Sequence, residues 1–90
     1  MKVRKMRLLR LKYGILRRDL GKHCGISPQR ISEIELEKFP GLETSTKKRI
    51  ENAFSEIISS RQRELNAFRD DFEKHKASMF EGVEEDSYEL

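Results

Sequence analysis

The sequence predicts an all-α protein: a compact head of four to five helices followed by a C-terminal helical extension. Three observations carry that expectation. Apolar residues recur at three- and four-residue spacing, and no segment alternates as a half-buried strand would. Residues 14 to 37, GILRRDLGKHCGISPQRISEIELE, hold two short helical patterns joined by Gly25-Ile26-Ser27, with Pro28 opening the second. The chain is 39% charged and 36% hydrophobic, which suits a soluble helical protein better than a membrane or disordered one.

The elements follow in order. Met6, Leu9, Arg10 and Tyr13 supply a first helix that ends near Gly14. Leu16, Leu20 and Cys24 are four residues apart and share a face, while Arg17, Arg18, Lys22 and His23 project elsewhere. Gly25 can take a positive φ and end that helix. Ser27 can then accept a backbone N–H as N-cap, and Pro28 fits the first helical position, where its missing donor has no partner to lose. In the helix so begun, Ile31 and Ile34 face inward with Glu35 beside them, and Gln29, Arg30, Ser32 and Glu33 stay mostly at the surface.

Phe39-Pro40-Gly41 reads as a loop, because proline disfavours helix at the residue before it. Thr44 or Ser45 can cap a fourth short helix whose inward residues are Ile50, Ala53, Phe54 and Ile57. Beyond it, Ile58, Leu65, Phe72 and Met79 form one heptad position and Arg61, Phe68 and His75 the other, the seam of a helical pairing surface. The expected organisation is a head over 1–57, a dimerising helix over 58–81 and an acidic, frayed tail over 82–90. Ile58, Leu65, Phe68, Phe72 and Met79 are the expected dimer contacts, with folding back onto the head as the alternative.

A helix-turn-helix outline of this kind places one helix across a DNA backbone and the next in the major groove. Charge agrees with that use. Residues 1–50 carry 14 Lys or Arg against 5 Asp or Glu, whereas residues 51–90 carry 5 against 11. The basic half suits a phosphate-facing surface, and the acidic half should project away from DNA and suits a protein partner.

From Gly14 to Glu35 the chain resembles, without a gap, the phage repressor and Cro-like helix-turn-helix family, often called Xre. Gly14 and Ile15 match the glycine and aliphatic residue before the first motif helix. Leu20, Gly25, Ile26, Ser27, Ile31, Ser32, Ile34 and Glu35 match within it, and Pro40 and Leu42 resemble the usual entry to the fourth helix. The resemblance implies an ion pair between Arg10 and Glu35, and it implies a repressor-like head. Four positions depart from the pattern: Arg17 stands for a glutamine, Gly21 for a small residue that is usually alanine, Glu37 for a glycine, and Pro28 for a polar side chain that often reads bases. The target sequence therefore does not carry over.

Helix geometry then assigns roles. Gln29 and Arg30, at the start of the second motif helix, are best placed to reach base edges, with Glu33 one turn later as an acceptor from cytosine. Arg17, Arg18, Lys22, Ser32 and Lys38 are the phosphate candidates. No enzymatic function is expected, since no nucleophile has a supporting base and no Gly-rich loop cradles a phosphate. His23 and Cys24, although adjacent, would point about 100° apart on a helix. Cys24 reads as core packing, His75 as an ordinary interface or surface residue, and Asp70-Asp71 and Glu84-Glu85 as solvated charge. One cysteine excludes an internal disulfide, and neither metal nor cofactor is expected.

No apolar run approaches the roughly 20 residues needed to span a bilayer, and the basic start lacks a signal-peptide stretch, so a cytoplasmic protein is expected. The leading function is a dimeric, sequence-specific double-stranded DNA-binding regulator of the repressor type. The alternatives are an antitoxin-type module whose tail covers another protein while its head binds DNA, and a helical adaptor that binds no DNA.

Overall fold

The computed structural model describes residues 2–38, 41–87 and 89. Among them are four α-helices and no strand: α1 (Lys5–Lys12), α2 (Arg17–Cys24), α3 (Pro28–Glu35) and α4 (Thr44–His75), followed by two 3-10 turns at Lys76–Ser78 and Glu85–Ser87. The protein is therefore all-α over the described residues. It divides into two units, Met1–Ile58 and Ser59–Leu90. The expected loop at Phe39 and Pro40 lies outside the described residues.

In the first unit each helix end has a local cause. After α1 the chain turns through Gly14 at φ +63°, and the Ile15 N–H donates to Arg10 O at 2.9 Å. Gly25 ends α2 at φ +68°, and the N–H groups of Gly25 and Ile26 both donate to Gly21 O, at 2.8 and 3.2 Å. That closure brings the Ile26 carbonyl against Gly21, where a Cβ would run into its oxygen. Glycine at this position thus lets the turn close tightly, against a helix-propensity cost of about 1 kcal/mol relative to alanine. At the start of α3 the Ser27 hydroxyl accepts from Arg30 N–H at 3.2 Å, and Pro28 takes the first helical position.

α3 closes as α2 does. The Lys38 N–H reaches back to Glu33 O at 3.0 Å and the Glu37 N–H to Ile34 O at 3.2 Å, with Glu37 at φ +57°. A side chain in that left-handed conformation is strained, and glycine there would relieve the strain.

The core gathers Ile15, Leu20, Cys24, Ile31, Ala53 and Ile57, with Met6, Ile26 and Phe54 packed against it. Ile34 and Ile50 are also buried. Leu16 departs from the expected apolar face, being 53% exposed. It is the N-cap of α2, with extended dihedrals (φ −75°, ψ 145°), so helical spacing does not yet apply to it, and Ile15 turns inward instead.

The fourth helix is not short. α4 runs unbroken through Ile57 to His75, 32 residues in all, so no separate fifth helix stands among the described residues. Its sequence holds neither glycine nor proline, and Ser59-Ser60 costs too little propensity to stop a helix already propagating. Its first bond runs from Lys47 N–H to Glu43 O (3.0 Å), which makes Glu43 the cap residue rather than Thr44 or Ser45. α4 ends at His75, whose Nδ1 lies 2.8 Å from Asp71 O. Met79 therefore follows a 3-10 turn and does not continue the helical seam.

Within the second unit, Leu65, Phe68 and Phe72 are exposed along α4, Phe68 at 72%. Phe68, Asp71, Phe72, His75 and Met79 line an apolar hollow of about 330 Å³. No helix among the described residues is long and apolar enough to cross a membrane.

Glu37→Gly removes the left-handed strain at the end of α3 and should raise unfolding stability by about 1 kcal/mol. Urea unfolding followed by circular dichroism measures it, and an equal or lower midpoint would mean that Glu37 carries no such strain.

Candidate nucleic-acid interface

The first turn of α3 is the most open part of the α2–α3 pair. Gln29 and Arg30 are both exposed there, with Ser32 and Glu33 half-buried farther along the helix. On α2, Arg18 and Lys22 are exposed, and Arg18 Nε lies 3.6 Å from Asp19 Oδ1. Lys38 is exposed just beyond α3. Gly25, Ile26, Ser27, Arg30, Thr46 and Arg49 line a polar surface pocket of about 380 Å³ where the α2–α3 turn meets α4.

Arginines hold the frame beneath this surface. Arg49, from α4, donates through Nε to Cys24 O and through Nη2 to Gly25 O, both at 3.0 Å. A cation there satisfies carbonyls that the end of α2 leaves open and meets the negative pole of its dipole. Arg4 does the same for α3: its backbone N–H donates to Glu35 O at 2.8 Å and its guanidinium to Ile34 O. His23 Nδ1 lies 2.8 Å from Glu56 Oε2, a second polar link between α2 and α4.

Glu35 is fully buried, and Arg10 is 4% exposed. Arg10 meets the carboxylate with two hydrogen bonds, Nε to Oε2 at 2.8 Å and Nη2 to Oε1 at 3.0 Å, and its Nη1 donates to Ile15 O at 2.9 Å. All the positive charge of Arg10 is thereby directed into the protein. Arg17, expected at the surface as a phosphate contact, is only half-exposed, and its Nε stands 3.6 Å from Glu35 Oε1. Arg7 Nη1 lies at the same distance from the same oxygen. Arg7 has no role in the sequence reading, although its three-residue spacing from Arg10 places the two on one face of α1 and was a usable signal.

The expected dimer residues fall on both sides of the division. Ile58 closes the first unit, exposed, while Leu65, Phe68, Phe72 and Met79 lie in the second. Cys24 is buried in the head, its Sγ 3.9 Å from Gly21 O. Among the described residues no group of three or more His, Cys, Asp or Glu is placed to hold a metal.

No protein-family model, curated protein or solved structure matches the chain.

Arg10→Ala strands the buried Glu35 carboxylate with two arginines beyond hydrogen-bond range, and should cost about 3–5 kcal/mol of stability. Chemical denaturation of the variant beside the wild-type checks this. A loss under about 1 kcal/mol would mean that Arg7 or Arg17 moves in to replace the missing partner.

Proposed function

We propose that the protein is a sequence-specific, double-stranded DNA-binding transcriptional regulator of the repressor and Cro-like helix-turn-helix class, acting as a dimeric repressor. The observation that carries this reading is the first turn of α3. Ser27 and Pro28 start that helix so that Gln29 and Arg30 emerge exposed at its tip, beside the exposed cations of α2. A helix presented in this way can enter a major groove while the preceding helix crosses the backbone.

In this reading Gln29 pairs with adenine or a neighbouring edge, Arg30 with guanine, and Glu33 accepts from cytosine N4. Arg17, Arg18, Lys22, Ser32 and Lys38 supply phosphate contacts, which fix the register of the head on the duplex. Dimerisation through Ile58, Leu65, Phe68 and Phe72 of α4, with Met79 joining from the turn after it, gives the two-fold symmetry that a palindromic operator requires, with half-sites about one helical turn apart. Repression then follows from occupancy: a dimer seated over a promoter excludes polymerase.

A second reading, an antitoxin-type module whose C-terminal part covers another protein, draws support from Phe80, which is 94% exposed and stands beside the acidic run from Glu81 to Asp86. An exposed aromatic followed by carboxylates suits a basic, apolar-grooved partner.

Selection of binding sites from a random duplex library tests the DNA reading. Wild-type protein should recover one palindromic motif, and Gln29→Ala and Arg30→Ala should each relax it at defined positions, by about 1–3 kcal/mol of discrimination. Arg17→Ala should instead weaken specific and random duplexes alike. Recovery of the same motif by all of these proteins would remove Gln29 and Arg30 from the reading surface, and no enrichment by the wild-type would remove DNA as the ligand.

Replacing Leu65 and Phe72 together by aspartate should convert a dimer to a monomer in sedimentation and weaken operator binding steeply, while head helicity persists. A wild-type protein that stays monomeric well above its Kd for DNA would sink the dimer.

A further inference from the structure

We infer that Arg7 and Arg17 form a clamp for a single phosphate of the duplex backbone, with Glu35 as the anchor that holds both guanidiniums in place. The inference rests on the DNA reading above and adds to it a contact from α1.

The charges around Glu35 do not balance. Three guanidiniums, from Arg7, Arg10 and Arg17, surround one carboxylate, and arginine does not deprotonate in proteins. Both carboxylate oxygens are already hydrogen-bonded to Arg10, at 2.8 and 3.0 Å. Arg7 Nη1 and Arg17 Nε, each 3.6 Å from Oε1, are within reach of its charge and too far for a hydrogen bond. Both atoms are buried without a hydrogen-bond partner. The cluster therefore holds two positive charges more than it neutralises.

That surplus has one way out. Arg10 is sealed in, whereas the Arg7 and Arg17 side chains are 26% and 39% exposed. Arg7 Nη1 and Arg17 Nε, each 3.6 Å from the same oxygen of Glu35, are no more than about 7 Å apart, and both side chains reach the surface. Arg17 is also the first residue of α2, and the N-cap residue Leu16 offers no side-chain cap there. The positive end of the helix dipole adds to the same spot.

An anion that satisfies two adjacent guanidiniums needs several acceptor oxygens in a tetrahedral array, which a phosphodiester has. A phosphate in a duplex also arrives already positioned by the docking of α3, so its binding costs little further ordering. Free phosphate pays that cost alone, and the backbone is the source that the geometry favours.

The test uses the full chain and a random-sequence duplex, with affinity measured across a range of salt. Arg7→Gln should lower affinity and flatten the log–log salt dependence by about 0.9 unit, Arg7→Lys should retain the slope, and Arg7→Gln with Arg17→Gln should flatten it by about twice as much. In the unmutated protein, arginine Nε resonances give a readout independent of folding of any variant. Those of Arg7 and Arg17 should shift together as duplex is added, and that of Arg10 should stay.

An unmoved Arg7 resonance, or a slope that Arg7→Gln leaves unchanged, overturns the clamp while the DNA reading stands. A wild-type protein that binds no duplex overturns both. Inorganic phosphate, matched to chloride in ionic strength, separates the two sources. Thermal stabilisation by phosphate that Arg7→Gln abolishes, with duplex affinity untouched, would assign the pair to free phosphate and overturn the backbone contact.

Discussion

The carboxylate of Glu35 organises the head. A fully buried carboxylate is tolerable only where its charge and lone pairs are met, and here they are met across three helices: Arg7 and Arg10 from α1, Arg17 from α2, and Glu35 itself from α3. The apolar residues around it supply most of the driving force, but apolar contact is non-directional. A bidentate arginine–carboxylate pair is directional, and it admits one rotation and one register of α3 against α1. Arg4 adds to the same end by donating to Ile34 and Glu35 carbonyls. Which side chains α3 turns outward is thus decided by a charge turned inward.

The parts of this arrangement differ in how visible they are in the sequence. The α2–α3 turn is legible because Gly25, Ser27 and Pro28 each have a narrow backbone preference, and the three preferences agree on one geometry. Ile31 and Ile34 are legible from helical spacing. Leu16 misleads because a four-residue step has meaning only between residues that are both inside the helix, and Leu16 is the cap. The length of α4 is hidden for a different reason: propensity says where a helix can start more firmly than where it stops, and nothing between Thr44 and His75 forces a stop.

The convergence on Glu35 is hidden more deeply. Arg7 and Arg17 meet the carboxylate across 28 and 18 residues of sequence, so beyond the face of α1 that Arg7 shares with Arg10 their placement follows from how the helices pack. Of the candidate reading residues, the exposure of Gln29 and Arg30 is foreseeable from the helix start, whereas the partial burial of Glu33 and Ser32 depends on the neighbours that α3 meets. The head also relies on α4 for more than its apolar residues. Arg49 ties α4 to the carbonyls of Cys24 and Gly25, so the closing helix also fixes the corner between α2 and α3.

Cys24 is the single cysteine of the chain and sits 5% exposed in the core at the end of α2. A thiol in that position meets solvent only when the head opens, since its neighbours Leu20, Ile31 and Ala53 shield it in the closed state. Its rate of alkylation is therefore a clock for that opening: in the limit of fast reclosing, the ratio of the observed rate to that of a free thiol is the fraction of time the core stands apart. The protein carries its own reporter of head stability, readable without a substitution.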